Sequence, residues 1–265
     1  MSGVGGASLA GTALEAARAG AEVAAQGFRK GARAALKGAI DLVTVYDTAA
    51  EARVVETLRA ARPKDRILAE EGGALGNGDG AHVWIVDPID GTTNFAHGHP
   101  FFACSVACYR NDEALAGAVV APALGIEWLA ERGGGATRNG RACSVSRVRT
   151  LAEALCATGF PYDRHTSDDD NGEAFYRVLK RCQGMRRCGS AAIDLCLVAD
   201  GTYDAYWESK LKPWDLAAGV LMVREAGGRL TDFAGGPIQL DVGEIAASGG
   251  PLHEVLLAQV NGPSP

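Results

Sequence analysis

The sequence predicts a mixed fold, α+β in its first half and α/β-like in its second. Three observations carry this. Residues 12–37 and 48–62 show the apolar spacing of helices. "HVWIV" (82–86) is a continuous apolar run of the kind a buried strand carries, and "FFACSVACY" and "ALAGAVVAP" follow as further strands. Beyond Arg149, helical stretches alternate with single short strands.

In chain order, residues 1–10 read as a flexible tail, and the helix over 12–37 follows. "DLVTVYD" leads into the second helix, and "RILAEEGG" reads as a strand ending at Glu70 and Glu71. "GALGNGDGAH" is a glycine-rich loop, and "GGGATRNG" lies at a hairpin. Neither is a nucleotide loop. The first precedes a strand instead of opening a helix, and the second lacks Gly-Lys-Ser/Thr. The second half reads "NGEAFYRVLKRC", "GSAAIDLCLVAD", "TYDAYWE", "WDLAAGVLMVREAGG", "RLTD", "IAASG" and "PLHEVLLAQV". Pro213 and the Gly227-Gly228 pair bound the fourth of these as a helix. Its interior is apolar almost all round, so it should be buried.

The 265 residues are 47% hydrophobic and 22% charged, an ordinary globular balance with enough chain for a sizeable core. The net charge of −6 and the lack of a Lys/Arg block argue against nucleic-acid binding. The opening "MSGVGGASLAGTALEAARAG" lacks the basic-then-apolar order of a secretory signal. No apolar run reaches the roughly 18 residues of a membrane span. The seven cysteines form no CxxC pair, and nothing completes a zinc pattern with Cys104 and Cys108. Reduced thiols in a cytoplasmic protein are expected. Asp168–Asp170 reads as a solvated loop, His97 and His99 as surface groups or supports behind a site and not as a metal site, and Trp84 and Trp207 as core or groove residues. Ser105 lacks a nucleophile-elbow pattern.

The informative feature is acidic. Asp87 stands where the strand "HVWIV" ends, Pro88 interrupts pairing, and "DGTT" (90–93) turns toward a helix start. Such a turn exposes N–H groups suited to a phosphate. A helix cap would explain Asp90 but not Asp87. Asp215 falls in the first turn of the apolar helix, and Glu70 ends another strand. Gathered together, these carboxylates would raise one another's pKa unless cations compensate. An oxygen-only donor set favours a hard ion, Mg²⁺ above Mn²⁺ or Ca²⁺.

"DPIDGTTNF" followed by "WDLAAG…EAGG" resembles the inositol monophosphatase family of Mg²⁺-dependent, lithium-sensitive phosphatases. "DLVTVYD", "AEEGG" and "RRCGSAAIDLCLVADGTYDAYWE" agree in order and spacing, so the likeness covers nearly the whole chain. It implies a layered αβαβα sandwich, with a metal site between an N-terminal half (11–148) and a C-terminal half (149–265), and commonly a homodimer. It implies two or three Mg²⁺ ions. Glu70, Asp87 and the carbonyl of Ile89 match ligands of the first, Asp87, Asp90 and Asp215 those of the second, and Glu70 a ligand of a weaker third. Thr92 and Asp47 match the pair that orients the attacking water. Gly91 and Thr92 match phosphate-binding N–H groups. Glu208 and the Gly189-Ser190-Ala191 turn match positions that contact substrate hydroxyls.

The implied reaction is in-line hydrolysis of a small phosphorylated metabolite by a metal-activated water. Inositol 1-phosphate is the first candidate; histidinol phosphate, fructose 1,6-bisphosphate and 3′-phosphoadenosine 5′-phosphate suit related enzymes. A phosphoaspartate route is disfavoured, because that motif spaces its aspartates two apart and Asp87 and Asp90 are three apart. A non-catalytic regulatory protein of the same fold is the alternative of a different class. Lys210 departs from the pattern, since many members have glycine there. It is either a solvent-facing lysine or a rim cation for a second anionic group on the substrate.

Overall fold

The computed structural model describes residues 8–30, 34–36, 42–75 and 80–262. Residues 1–7 of the expected tail lie outside them. Helix α1 (Leu9–Gly27) starts on Ser8, whose hydroxyl accepts from Gly11 N–H. It ends ten residues sooner than the sequence predicts, and β1 (Ala34–Leu36) pairs with β2 (Leu42–Thr44) beyond it. The break has a packing cause. The chain leaves the helix at Phe28, whose ring packs against Phe102 with centroids 4.9 Å apart, and Gly27 lies against the Tyr46 ring. Helix α2 (Val45–Ala61) begins on a capping box in which Thr44 and Asp47 serve each other.

The first sheet runs β10-β9-β8-β7-β6-β5-β3-β4. Its strands are β3 (Arg66–Ala69), β4 (Gly73–Leu75), β5 (Val83–Asp90), β6 (Ala103–Arg110), β7 (Glu113–Ala121), β8 (Ile126–Glu131), β9 (Gly135–Arg138) and β10 (Arg141–Ala142). Part of the expected glycine-rich loop is therefore strand: Gly73–Leu75 pairs with β3, and residues 76–79 lie outside the described ones. The short helix α3 (Thr92–Ala96) follows β5.

The second sheet runs β12-β11-β13-β15-β14, from β11 (Leu155–Thr158), β12 (Gly184–Arg186), β13 (Ala205–Glu208), β14 (Arg229–Thr231) and β15 (Ile245–Ser248). Its helices are α4 (Gly172–Leu179), α5 (Ala191–Ala199), α6 (Pro213–Glu225) and α7 (His253–Val260).

Side-chain alternation makes the layers. Trp84, Val86, Cys104 and Val106 face a core shared with α1 and α2. Ile85, Ala103, Ala107 and Val119 face the opposite way, into a core built on α5 and α6. The same core takes in Tyr206 and Ala247 of the second sheet, while Trp207 and Ala246 face α4 and α7. The order is helices, sheet, helices, sheet, helices. Helix α6 is buried from Leu216 to Val223, as an all-round apolar helix between two sheets must be. No described helix is long and apolar enough to cross a membrane. All seven cysteines are free thiols.

Candidate active site

Strand β5 carries the first two aspartates, and an irregularity makes them neighbours. Asp87 pairs with Ser105 and Asp90 with Ala103, so three steps on β5 match two on β6. In a regular strand, residues three apart face opposite sides; the extra residue of a bulge brings both to one side. Asp215 joins them from the first turn of α6, where Lys212 N–H donates to its Oδ2 at 2.7 Å. One oxygen from each of Asp87, Asp90 and Asp215 lies within 4.8 Å of the others.

Asp90 is held by the start of α5. Ser190 Oγ donates to its Oδ2 at 2.5 Å and Ala192 N–H at 2.8 Å. Burial raises its pKa to about 6 even so, because those donors only partly offset the lost hydration. Asp87 rises well above the usual carboxylate range, through burial first and then the charges of Glu70, Asp90 and Asp215. Asp215 rises as well, through burial and then Asp90. Crowded oxygens without a lysine or arginine among them form a donor set for a hard divalent cation, and the residues present fit one.

The turn after Asp90 depends on glycine. Gly91 has φ +91°, and a Cβ there would stand 2.9 Å from Phe101 O and 3.1 Å from Gly189 O. Thr92 follows, its hydroxyl 2.9 Å from Asp47 Oδ1 and 3.0 Å from Ile89 O. Asp47 is fully buried, and its Oδ2 accepts from Thr44 N–H at 2.7 Å and Thr44 Oγ at 2.6 Å. One carboxylate thus caps α2 and fixes Thr92.

A cavity of about 650 Å³ opens over these groups. Glu70, Ile89, Gly91, Gly189, Ser190, Ala191 and Glu208 line it together with Asp87, Asp90, Thr92 and Asp215. Asp47 does not, and bonds Thr92, which does. Ser190 turns its hydroxyl to Asp90. Glu208 accepts from Tyr206 Oη at 2.5 Å, and burial raises its pKa to about 7. Of the bland candidates, His97 reaches the cavity, while Trp84 and Trp207 are buried and bond Asp65 and Asn171.

Lys210 is not a free rim cation. Its backbone is left-handed at φ +60°, a conformation that suits glycine. Its ammonium donates to Asp163 Oδ2 at 2.9 Å, Ser167 Oγ at 3.1 Å and Asp169 O at 2.8 Å. It ties the 163–169 loop to the end of β13.

A model of the inositol monophosphatase family matches residues 7–262. The chain belongs to the inositol monophosphatase family. It is 41% identical over 251 residues to the chloroplastic phosphatase IMPL1 of Arabidopsis thaliana, covering 92% of this chain and 68% of that one. It is 44% identical over 228 residues to the Nus factor SuhB of Pseudomonas aeruginosa, covering 84% of each. The solved inositol monophosphatase from Anabaena superposes with a TM-score of 0.86 at 40% identity over 94% of each chain. The family is one of metal-dependent phosphatases, and the acidic cluster of Asp87, Asp90 and Asp215 is where this member offers a metal site.

Three contributors were not singled out from sequence. Asn94 Nδ2 lies 2.7 Å from Phe101 O, 2.8 Å from Cys188 O and 3.2 Å from Gly189 O, so it clamps the turn before α5 to the loop after α3. It stands inside the quoted "DPIDGTTNF", but nothing local reveals a partner 94 residues away. Tyr206, which holds Glu208, shares a strand with it at the two-residue spacing that puts side chains on one face. Arg187 lines the cavity from a loop, where no periodicity marks it.

Proposed function

We propose that this protein is a Mg²⁺-dependent phosphomonoester hydrolase of the inositol-1-monophosphatase kind. The observation that carries the reading is the Asp87, Asp90 and Asp215 oxygen cluster beside the Thr92–Asp47 pair. Glu70, Asp87 and the Ile89 carbonyl would hold one Mg²⁺, and Asp87, Asp90 and Asp215 a second, with Glu70 available to a third. Such ions, when bound, lower the pKa of water, offset charge on phosphoryl oxygens and steady the leaving alkoxide.

The protein's own groups do the rest. The Thr92 hydroxyl proton points at Asp47 or the Ile89 carbonyl, which leaves its lone pairs toward the cavity. It therefore accepts from a water and aims that water's free lone pair at phosphorus. The N–H groups of Gly91 and Thr92 hold the phosphate. Glu208, held by Tyr206, accepts from substrate hydroxyls beside the Gly189-Ser190-Ala191 turn. No covalent intermediate is needed. Cytoplasmic residence and a homodimer belong to the same proposal, as does inhibition by lithium.

The test is phosphate release from inositol 1-phosphate by purified protein with and without Mg²⁺. Release that needs Mg²⁺ and stops in Asp90→Asn supports the reading; equal release without any divalent ion sinks it. A second reading rests on relatives named Nus factor SuhB. If the regulatory role were the whole function, the purified protein would turn over no phosphomonoester.

A further inference from the structure

The cavity that holds the carboxylates on its floor carries cations on its wall: Arg164, Arg187, Lys210 and Lys212. Two are already committed. Lys210 is enclosed by Asp163, Ser167 and Asp169, and Arg164 Nη1 donates to Pro161 O at 3.1 Å. Lys212 and Arg187 are not committed in this way, and of the two Arg187 carries the planar guanidinium. Among the described residues its guanidinium makes no hydrogen bond and no ion pair, although it lines the cavity. Its placement is set by Gly189, two residues on. A Cβ on Gly189 would stand 2.5 Å from Arg187 Nη1, so the guanidinium lies across that turn. Gly189 O in turn packs on Gly91, the turn assigned to the phosphate. The neighbouring acids do not neutralise Arg187 by contact. Glu208 and Asp194 feel its charge, but Glu208 bonds Tyr206 instead.

We propose that Arg187 is a specificity-determining residue that binds a second anionic group on the substrate, so that the preferred substrates are sugar bisphosphates. The inference rests on the phosphatase reading above. A planar guanidinium with no protein partner offers paired donors to phosphate oxygens. Glu208 supplies an acceptor for hydroxyls on the sugar between the two phosphates.

The experiment compares fructose 1,6-bisphosphate with fructose 1-phosphate, which lacks only the second anion, at fixed Mg²⁺. It uses the wild type, Arg187→Gln, Arg187→Lys and Arg186→Gln. Arg186, exposed like Arg187, donates from Nη1 to Met185 O and does not line the cavity. The wild type should favour the bisphosphate in kcat/KM. Arg187→Gln should lower that preference about tenfold, mainly through KM, and Arg187→Lys should keep part of it. Arg186→Gln should leave the preference unchanged. An equal loss on both substrates in Arg187→Gln, an equal effect of Arg186→Gln, or a wild type with no preference overturns the proposal. If inositol 1-phosphate is hydrolysed and neither fructose phosphate is, the proposal fails and the phosphatase reading stands. No phosphate from any of the three fails both.

Discussion

Asp194 shows what burial does to a single carboxyl. It is 1% exposed on α5, and its Oδ1 has no hydrogen-bond partner. Its pKa is raised well above the usual range by burial, then by Glu208 and Asp90, against a smaller opposing effect of Arg187. A group whose folded pKa lies above its unfolded one stabilises the fold at low pH and loses that contribution as pH rises through the folded value. Asp194→Asn keeps the shape and removes the ionisation. Thermal melts should therefore show the variant gaining on the wild type as pH rises above the ordinary carboxylate range; a constant difference would mean that Asp194 does not titrate as argued. If, as proposed, the Thr92 hydroxyl held by Asp47 orients water while backbone groups hold the phosphate, Thr92→Ala should lower kcat more than it raises KM. A large KM effect at unchanged kcat would make Thr92 a binding group. Lys210→Gly trades four polar contacts for a backbone that fits φ +60°, so it should leave the ratio of bisphosphate to monophosphate turnover unchanged. A selective loss on the bisphosphate would restore the rim-cation role that the sequence allows.

At the scale of elements, the site is held by a bulge and three helix starts. The bulge of β5 aligns Asp87 with Asp90, α2 carries Asp47, α5 holds Asp90 and α6 presents Asp215. Asn94 joins the turn before α5 to the loop after α3. Asn94→Ala would free two backbone carbonyls on the 188–189 turn, so Mg²⁺ affinity and kcat should both fall while the melting temperature drops only modestly. An unchanged Mg²⁺ dependence would reduce Asn94 to a surface strut. The elements that were legible in sequence are those whose own composition decides them: the apolar run of β5, and α6 with proline before it and glycines after. The strands β1, β4, β11 and β12 are three or four residues long and exist because a partner lies beside them, which no short window records. The early end of α1 likewise comes from Phe28 and Gly27 meeting α2 and Phe102. The clustered carboxylates stood out because their motifs are contiguous. Arg187 and Asn94 act across the fold and left no comparable trace.

Across the whole molecule, two sheets and three helical layers bring carboxylates from residues 70 to 215 to one place on the floor of the cavity. That place is electrostatically unfavourable on its own. Asp87, Asp90 and Asp215 all have raised folded pKa values, Asp90 at about 6. By the sign already given, metal-free protein loses stability as pH rises past about 4 and through about 6. A divalent cation removes the penalty, so saturating Mg²⁺ should raise the melting temperature more at pH 7.5 than at pH 5. An equal rise at both would place the ion elsewhere. The direct measurement of the proposed divalent-cation site is an anomalous difference map from crystals soaked in Mn²⁺. A peak in contact with Asp87, Asp90 and Asp215 is expected. A map with no peak there, in protein whose activity needs a divalent cation, would contradict it.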